Sequence, residues 1–552
     1  MTAGQLSSYS LQIGYGSTSS GSMTQSGGQN TAGTFSLGYS LASAGSYVLS
    51  GTAQLTANTE FIGSSGTGVF TQTGGTNRPG SYVGTGSLYL GYQSGGQGTY
   101  NLSGNGQLLG IGSEYVGYGS TATGIMTQTG GINSTGAGGA LFLGYQSTAT
   151  GIYQLSGTGL LTTNVEYIGY TGSGAVTGAG IFEQSGGTNT AQAISIGSNG
   201  RFDMTGGVAQ VQSTFAITGN ATIGDSSNPS AAPSLSTSVL NVGYSIFTGA
   251  GSLTLLSSSS VGVATGLHVY PAGSLTIKSG SLTAPSLFNE GIVSVSGTGS
   301  LAAPQGTLQY ITGAGSITVG AGATVQAGYL RQSTVTVSGK LQLKHSGSAS
   351  SFTDLSIPAG GSFVLADDLA SWNYTGASPA GILRQYLQSG YNGGDWSGPG
   401  LSSSAAAGDV DRVLGVGYAE ASAIGAVSWG GVSVDPTTLL LKIVPLGDAN
   451  MDGTITADDF TLFDRGLALG TSGWSNGDFN YDGVINAADS LILDRTYAIQ
   501  QGTLTPLFLA QRQAEFGDAY VSTLLASVPE PGSATLFIGG LILASRRLRR
   551  RQ

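Results

Sequence analysis

The chain contains no cysteine, and its 552 residues include only two histidines, four tryptophans and 8 % charged side chains. Without thiols it has neither disulfide staples nor thiolate chemistry. Basic residues are few, 17 against 27 acids for a net charge of −10, and outside an arginine cluster near the C-terminus they are scattered. Nucleic-acid binding is excluded on that ground, because counterion release needs a basic surface. An uninterrupted apolar run of the roughly 20 residues needed for an ordinary membrane span is also missing. Met1–Leu6 shows neither the basic nor the apolar region of a secretory signal. What the chain has in excess is glycine, 96 residues, without the strict period of collagen. Hydrophobic residues make up 39 %, too many for a disordered low-complexity tail.

The glycine is spent on repeats. Ser36-Leu37-Gly38-Tyr39, Tyr89-Leu90-Gly91-Tyr92, Phe142-Leu143-Gly144-Tyr145 and Ser195-Ile196-Gly197 recur every 53 residues. Between them lies a related half-unit marked by Glu60, Glu114 and Glu166, and by the pattern Q-[ST]-G-G-x-N ending at Asn30, Asn77, Asn133 and Asn189. Short alternating strands separated by glycine turns put one set of side chains inside. A unit this small cannot bury its own apolar face, so neighbours must stack on it. The expected fold is mostly β, a right-handed parallel β-helix (solenoid) over residues 1–345. The Asn that closes each pattern is expected either in a stacked amide ladder or in a left-handed turn. These repeats resemble those of autotransporter-like and planctomycete-type surface proteins. Leu11-Gln12-Ile13-Gly14 aligns with the middle of a repeat, so the sequence is expected to continue upstream of Met1.

Polysaccharide cleavage on a β-helix needs paired carboxylates, or an acid cluster with a base. The acids of the array are Glu60, Glu114, Glu166, Glu183, Asp203, Asp225 and Glu290, and the first three share one repeat position. That placement fits a structural ladder better than a unique site, and His268 and His345 stand alone. No catalytic constellation is visible.

Beyond residue 346 the composition changes, and all four tryptophans lie there: Trp372, Trp396, Trp429 and Trp474. Pro379–Ser389 reads as a short amphipathic helix with Ile382, Leu383, Tyr386 and Leu387 on one side. Residues 346–445 are expected to form a small mixed cap whose tryptophans pack in a core, with stacking on sugars as the alternative.

One acidic pattern, D-x-N-x-D-G-x-I-x-x-x-D, is written twice, at Asp448–Asp459 and Asp478–Asp489, with its starts thirty residues apart. Calcium takes six to eight oxygens, and an EF-hand loop supplies them from positions 1, 3, 5, 7, 9 and 12. The candidate ligands are therefore Asp448, Asn450, Asp452, Thr454, Thr456 and Asp459 in the first loop. In the second they are Asp478, Asn480, Asp482, Val484, Asn486 and Asp489. Gly453 and Gly483 occupy the sharp turn at position 6, and Ile455 and Ile485 at position 8 are placed to pair across the loops. Asp at position 12 is a methylene shorter than the usual Glu, which makes magnesium harder to exclude. An apolar, strand-like run, Leu439–Gly447, precedes the first loop where an EF-hand has a helix. A helical pattern follows each loop, one with Phe460, Leu462, Phe463 and Leu467, the other with Leu491, Ile492, Leu493 and Tyr497. Two loops with exit helices and no incoming helices resemble the type I dockerin module over residues 446–500. The resemblance implies two Ca²⁺ ions and a cohesin-like partner. Arg465 and Arg495 match the basic partner-contact position, whereas Ala457-Asp458 and Ala487-Ala488 replace the Ser-Thr pair by which the partner is often read.

After an expected linker, 501–527, come Val528-Pro529-Glu530-Pro531, an apolar run over 533–545 and Arg546-Arg547-Leu548-Arg549-Arg550-Arg551. This order resembles the PEP-CTERM sorting signal (528–552). It implies a C-terminal transmembrane helix, transient membrane anchoring, processing by an exosortase, bacterial origin and delivery to the cell surface or extracellular matrix. The whole reads as an exported structural or adhesive protein, with extracellular polysaccharide as a further candidate partner. The alternative is a polysaccharide-degrading enzyme component recruited to a cohesin scaffold.

Overall fold

The computed structural model describes residues 1–528, apart from 81–84, 170–177, 229, 244–249, 304–307, 367–368 and 502–503. The chain is mostly β, with a β-solenoid of about 14 turns and a helical C-terminal region. It divides into two compact units, residues 1–327 with 331–334, and residues 328–330 with 335 onward.

In the first unit every strand pairs in parallel with the strand one coil away, as Gln5–Ile13 does with Gln29–Leu37 and Ala44–Leu49 with Thr67–Gln72. The 53-residue period spans two coils whose interiors differ. Along one column the register runs Asn30, Leu55, Asn77, Leu108, Asn133, Leu161, Asn189. Along another it runs Phe35, Glu60, Leu88, Glu114, Leu141, Glu166. Polar and apolar residues thus alternate coil by coil. The asparagines form neither an amide stack nor a left-handed turn, since each faces a leucine in the adjacent coil and lies within a strand. They are buried and hydrogen-bonded sideways, Asn77 Nδ2 to Glu60 Oε2 (2.9 Å) and Tyr100 Oη (3.2 Å), and Asn133 Nδ2 to Glu114 Oε2 (2.9 Å) and Tyr153 Oη (3.0 Å). Tyr100 and Tyr153 in turn donate to Gln72 and Gln128, both at 2.6 Å. The recurring acids therefore lie inside the solenoid in separate Asn–Glu clusters, one every second coil, and not in the continuous ladder expected.

Outside, half-buried rings stack along the same coils. Phe61, Tyr89, Tyr115, Phe142 and Tyr167 follow one another at centroid spacings of 5.2, 4.8, 4.8 and 5.0 Å. Tyr92, Tyr118 and Tyr145 form a second column at 5.4 and 5.0 Å, meeting the first edge-on. Each such pair adds about 0.5–1.5 kcal/mol beyond its buried area.

The second unit holds further parallel strands, Lys340–Leu343, Ser362–Leu365 and Gly400–Ser403, so coil-like stacking extends past the expected boundary at 345. The stacking ends at Thr438–Pro445, which lies antiparallel to both Ala370–Asn373 and Leu414–Glu420. The reversal stops parallel propagation, and Leu439, Leu440 and Leu441 are fully buried in it. The expected amphipathic helix spans Ala380–Tyr391 and buries Leu383 and Leu387, whereas Ile382 is 49 % exposed and Tyr386 half-buried. Trp372, Trp396 and Trp474 are buried, so core packing accounts for those three, whereas Trp429 is half-exposed and donates its indole N–H to Leu441 O at 3.1 Å.

Within the expected linker 501–527, Pro506–Phe516 and Asp518–Ser527 are helices. Pro506–Phe516 begins with Thr505 capping Phe508 N and proline in the first turn, and Asp518–Ser527 follows directly. Among the described residues no helix is long and apolar enough to cross a membrane. Pro529, Glu530, Pro531, the 533–545 run and the arginine cluster lie outside the described residues.

Candidate calcium centre

The strand Thr438–Pro445 delivers the chain to the first loop, and helices Ala457–Leu469 and Ala487–Gln501 leave the two loops. Each loop folds on its own acids. Asp448 Oδ2 accepts from Gly453 N at 2.7 Å, and Asp478 Oδ2 from Gly483 N at 3.1 Å. Asn450 and Asn480 accept from the amides of Asp452 and Asp482, both at 2.9 Å. Asp452 and Asp482 accept from Thr454 N (2.9 Å) and Val484 N (2.8 Å). The closing carboxylates, Asp459 and Asp489, are wholly buried and reach back across the loop to the amides of Ala449 and Phe479, both at 2.9 Å. Asp459 also completes a capping box with Thr456, so the residue that closes the first loop starts its exit helix. In the second loop Asn486 takes the place of Thr456, its Oδ1 accepting from Ala488 N at 2.7 Å and its main-chain N–H donating to Asp489 Oδ2 at 3.1 Å.

The packing follows an approximate twofold. Gly447 and Gly477 precede the loops with φ of +107° and +112°. A Cβ on Gly447 would meet Leu493 of the second exit helix at 2.7 Å, and one on Gly477 would meet Phe463 of the first, also at 2.7 Å. Each helix thus rests on the backbone before the opposite loop, where only glycine combines that φ with that closeness. Ile455 does not pair with Ile485 through the backbone. The Gln500 side chain takes both of its main-chain groups, accepting from Ile455 N at 2.9 Å and donating to Ile455 O at 3.1 Å.

Every proposed ligand supplies oxygen, as a hard cation requires, with the main-chain carbonyls of Thr454 and Val484 at position 7. Burial, opposed by the loop amides, pushes Asp448 and Asp489 up to about 6 and raises Asp478. Asp478 Oδ1 is buried without a hydrogen-bond partner, a feature that fits a bound cation. Among the described residues no three acidic or imidazole groups converge as a metal cluster, so the amide and main-chain oxygens are needed to complete each set.

The two candidate partner arginines differ. Arg465 is exposed on the first exit helix. Arg495 is spent within the chain, its guanidinium donating to Ser527 O (3.1 Å), Arg412 O (3.1 Å) and Asp411 O (2.6 Å). Next to it, Asp494 is fully buried against Arg512 (2.9 Å) and Tyr520 (2.7 Å) from the C-terminal helices, whereas its counterpart Asp464 is exposed. These helices stand where a linker was expected. Thr505-Pro506, a cap residue followed by proline at the first helical position, was the signal for them.

Residues 446–496 match the dockerin type I domain. No curated protein and no solved structure matches the chain. Domains of this type bind calcium, work outside the cell or at its surface, and imply a cohesin-like partner.

Proposed function

We propose that this is an exported structural or adhesive protein of the cell surface or extracellular matrix: a β-solenoid stalk carrying a dockerin module stabilised by two calcium ions. The carrying observation is the pair of all-oxygen loops, folded alike, inside the segment that matches the dockerin domain. The solenoid's recurring acids sit in its interior, which agrees with a structural stalk. A cohesin-like partner would meet the module on the side of Arg465, since Arg495 is engaged internally. The order of Pro-Glu-Pro, apolar run and arginine cluster supports sorting and processing by an exosortase, with transient anchoring through 533–545.

The enzyme alternative has one specific foothold. Glu183 and Asp203 stand in register on neighbouring coils in a cleft of about 430 Å³, both paired with Arg201, at 2.7 and 2.9 Å. The test is incubation of the purified protein with a panel of plant and algal polysaccharides. Binding without new reducing or unsaturated ends is expected. Release of such ends, abolished by Glu183→Gln, would establish the enzyme instead.

A further inference from the structure

The fourth position of each calcium loop is not a ligand position, yet the two loops treat it alike. Met451 and Tyr481 both have left-handed backbones, with φ of 60° and 62°. Both side chains are buried, at 3 % and 0 % exposure. Both main-chain carbonyls accept a hydrogen bond from a cation lying earlier in the chain: Lys442 Nζ to Met451 O at 2.7 Å, and Arg384 Nη1 to Tyr481 O at 2.6 Å. The cations come from different elements, a strand and the helix Ala380–Tyr391, so the match does not follow from the duplication of the loops.

The surface that receives the two side chains is fitted to them. Tyr481 stacks on Trp474 at 5.6 Å and meets Tyr391 and Trp396 edge-on at 5.4 and 5.7 Å. Its hydroxyl accepts from Val416 N at 3.0 Å and donates to Val416 O at 3.1 Å. The strand Leu414–Glu420 carries glycine on either side of Val416. A Cβ on Gly417 would come within 3.1 Å of Met451 Cγ and 3.0 Å of Trp474 Nε1. A Cβ on Gly483 would lie 2.9 Å from the Arg384 guanidinium carbon. The position-6 glycine of the second loop thus leaves room for the cation as well as making the turn.

We propose that Lys442 and Arg384 are a matched pair of clasps through which residues 380–445 hold the two calcium loops in their folded form, so that calcium binding and the docking of that segment stabilise each other. The inference rests on the calcium reading above. A cation beside an acidic loop opposes a bound metal ion by charge but also fixes the peptide between ligand positions 3 and 5. The buried position-4 side chain of each loop and, in the second, the Val416 bonds anchor the same peptide from its other side. In linkage terms, whatever stabilises the folded loop over its open form raises the affinity of any ligand that needs the folded loop.

The test uses the full chain, calcium titrated by calorimetry, and amide hydrogen exchange with and without chelator. Asp459→Asn and Asp489→Asn backgrounds isolate one loop at a time. Arg384→Met should weaken calcium binding by the second loop about tenfold and leave the first within about twofold, while Lys442→Met does the converse. Chelation should speed exchange of Val416 N–H and of helix Ala380–Tyr391 in the wild type, and Tyr481→Leu should speed Val416 exchange even with calcium present. Unchanged or tighter binding in both methionine variants would overturn the clasp, as would exchange at 380–391 and 416 that ignores calcium. Weakening of both loops by either variant would also overturn it, since that reports general unfolding. Absence of calcium binding by the wild type would defeat the calcium reading itself.

Discussion

Glu60, Glu114 and Glu166 sit wholly inside the solenoid, and burial, opposed by the asparagine N–H donors, raises them to about 8, 7 and 7. Apart from Glu166, which adds to the rise of Glu114, the groups facing them are neutral: Asn77, Asn133 and Asn189, Tyr47, Tyr100 and Tyr153, and Thr163. Glu60 Oε1, Glu114 Oε1 and the oxygens of Asn77 and Asn133 are buried without partners, and a proton on each acid supplies the donor that these clusters lack. The folded acids therefore hold protons that the unfolded chain, near 4.5, releases. Their stabilising contribution is complete below about pH 4.5 and is lost as pH rises through about 7 to 8, at a cost of roughly 3–5 kcal/mol per group. Thermal melts of the solenoid should fall from pH 5 to about pH 8 and level off above it. Glu60→Gln with Glu114→Gln, which mimics the neutral acids, should flatten that fall, and an unchanged slope would show that these acids are already ionised when folded. Glycines in the calcium loops give a second residue-level contrast. Gly453 (φ +107°) faces open space and Gly477 (φ +112°) faces Phe463. Alanine should cost about 1 kcal/mol of backbone strain at Gly453 and more at Gly477, where a clash is added, as read from melts with calcium present.

At the level of elements the unit is two coils, because Asn and Glu pair across a coil boundary. Deleting residues 89–141, one full period, joins Leu88 to Phe142 and keeps the alternation. Deleting residues 89–114 removes Tyr100 and Glu114 and sets one asparagine coil upon another. The first deletion should keep cooperative melting close to that of the parent. The second should melt lower, by several degrees, and equal melting of the two would contradict the pairing described here. That two-coil period was readable from the recurrence of Leu-Gly-Tyr and of Gln-x-Gly-Gly-x-Asn. The partners of the asparagine were not, because Asn77 meets Glu60 and Tyr100, whose separations in sequence follow no local pattern. The loops and exit helices were equally legible, since ligand spacing and helix capping are local. Gln500 on Ile455, Arg384 on Tyr481 and Arg512 on Asp494 are contacts over 18 to 97 residues, and no local pattern announces them.

For the whole molecule, the duplicated loops are the part on which the account depends, and the helices Pro506–Phe516 and Asp518–Ser527 make their surroundings unequal. Arg512 holds Asp494 and lies over the rings of Phe460, Phe508 and Phe516, so it ties the last helices to both exit helices. Replacing it by alanine leaves a buried carboxylate unpaired, which costs about 3–5 kcal/mol. Residues 506–527 should then become open to proteolysis while the solenoid stays intact. The most direct measurement is calorimetric titration of the full chain with Ca²⁺. Saturable heat for two sites is expected, reduced to one by Asp459→Asn or Asp489→Asn and abolished by both. Absence of heat from the wild-type chain, or two sites surviving the double substitution, would contradict the calcium reading.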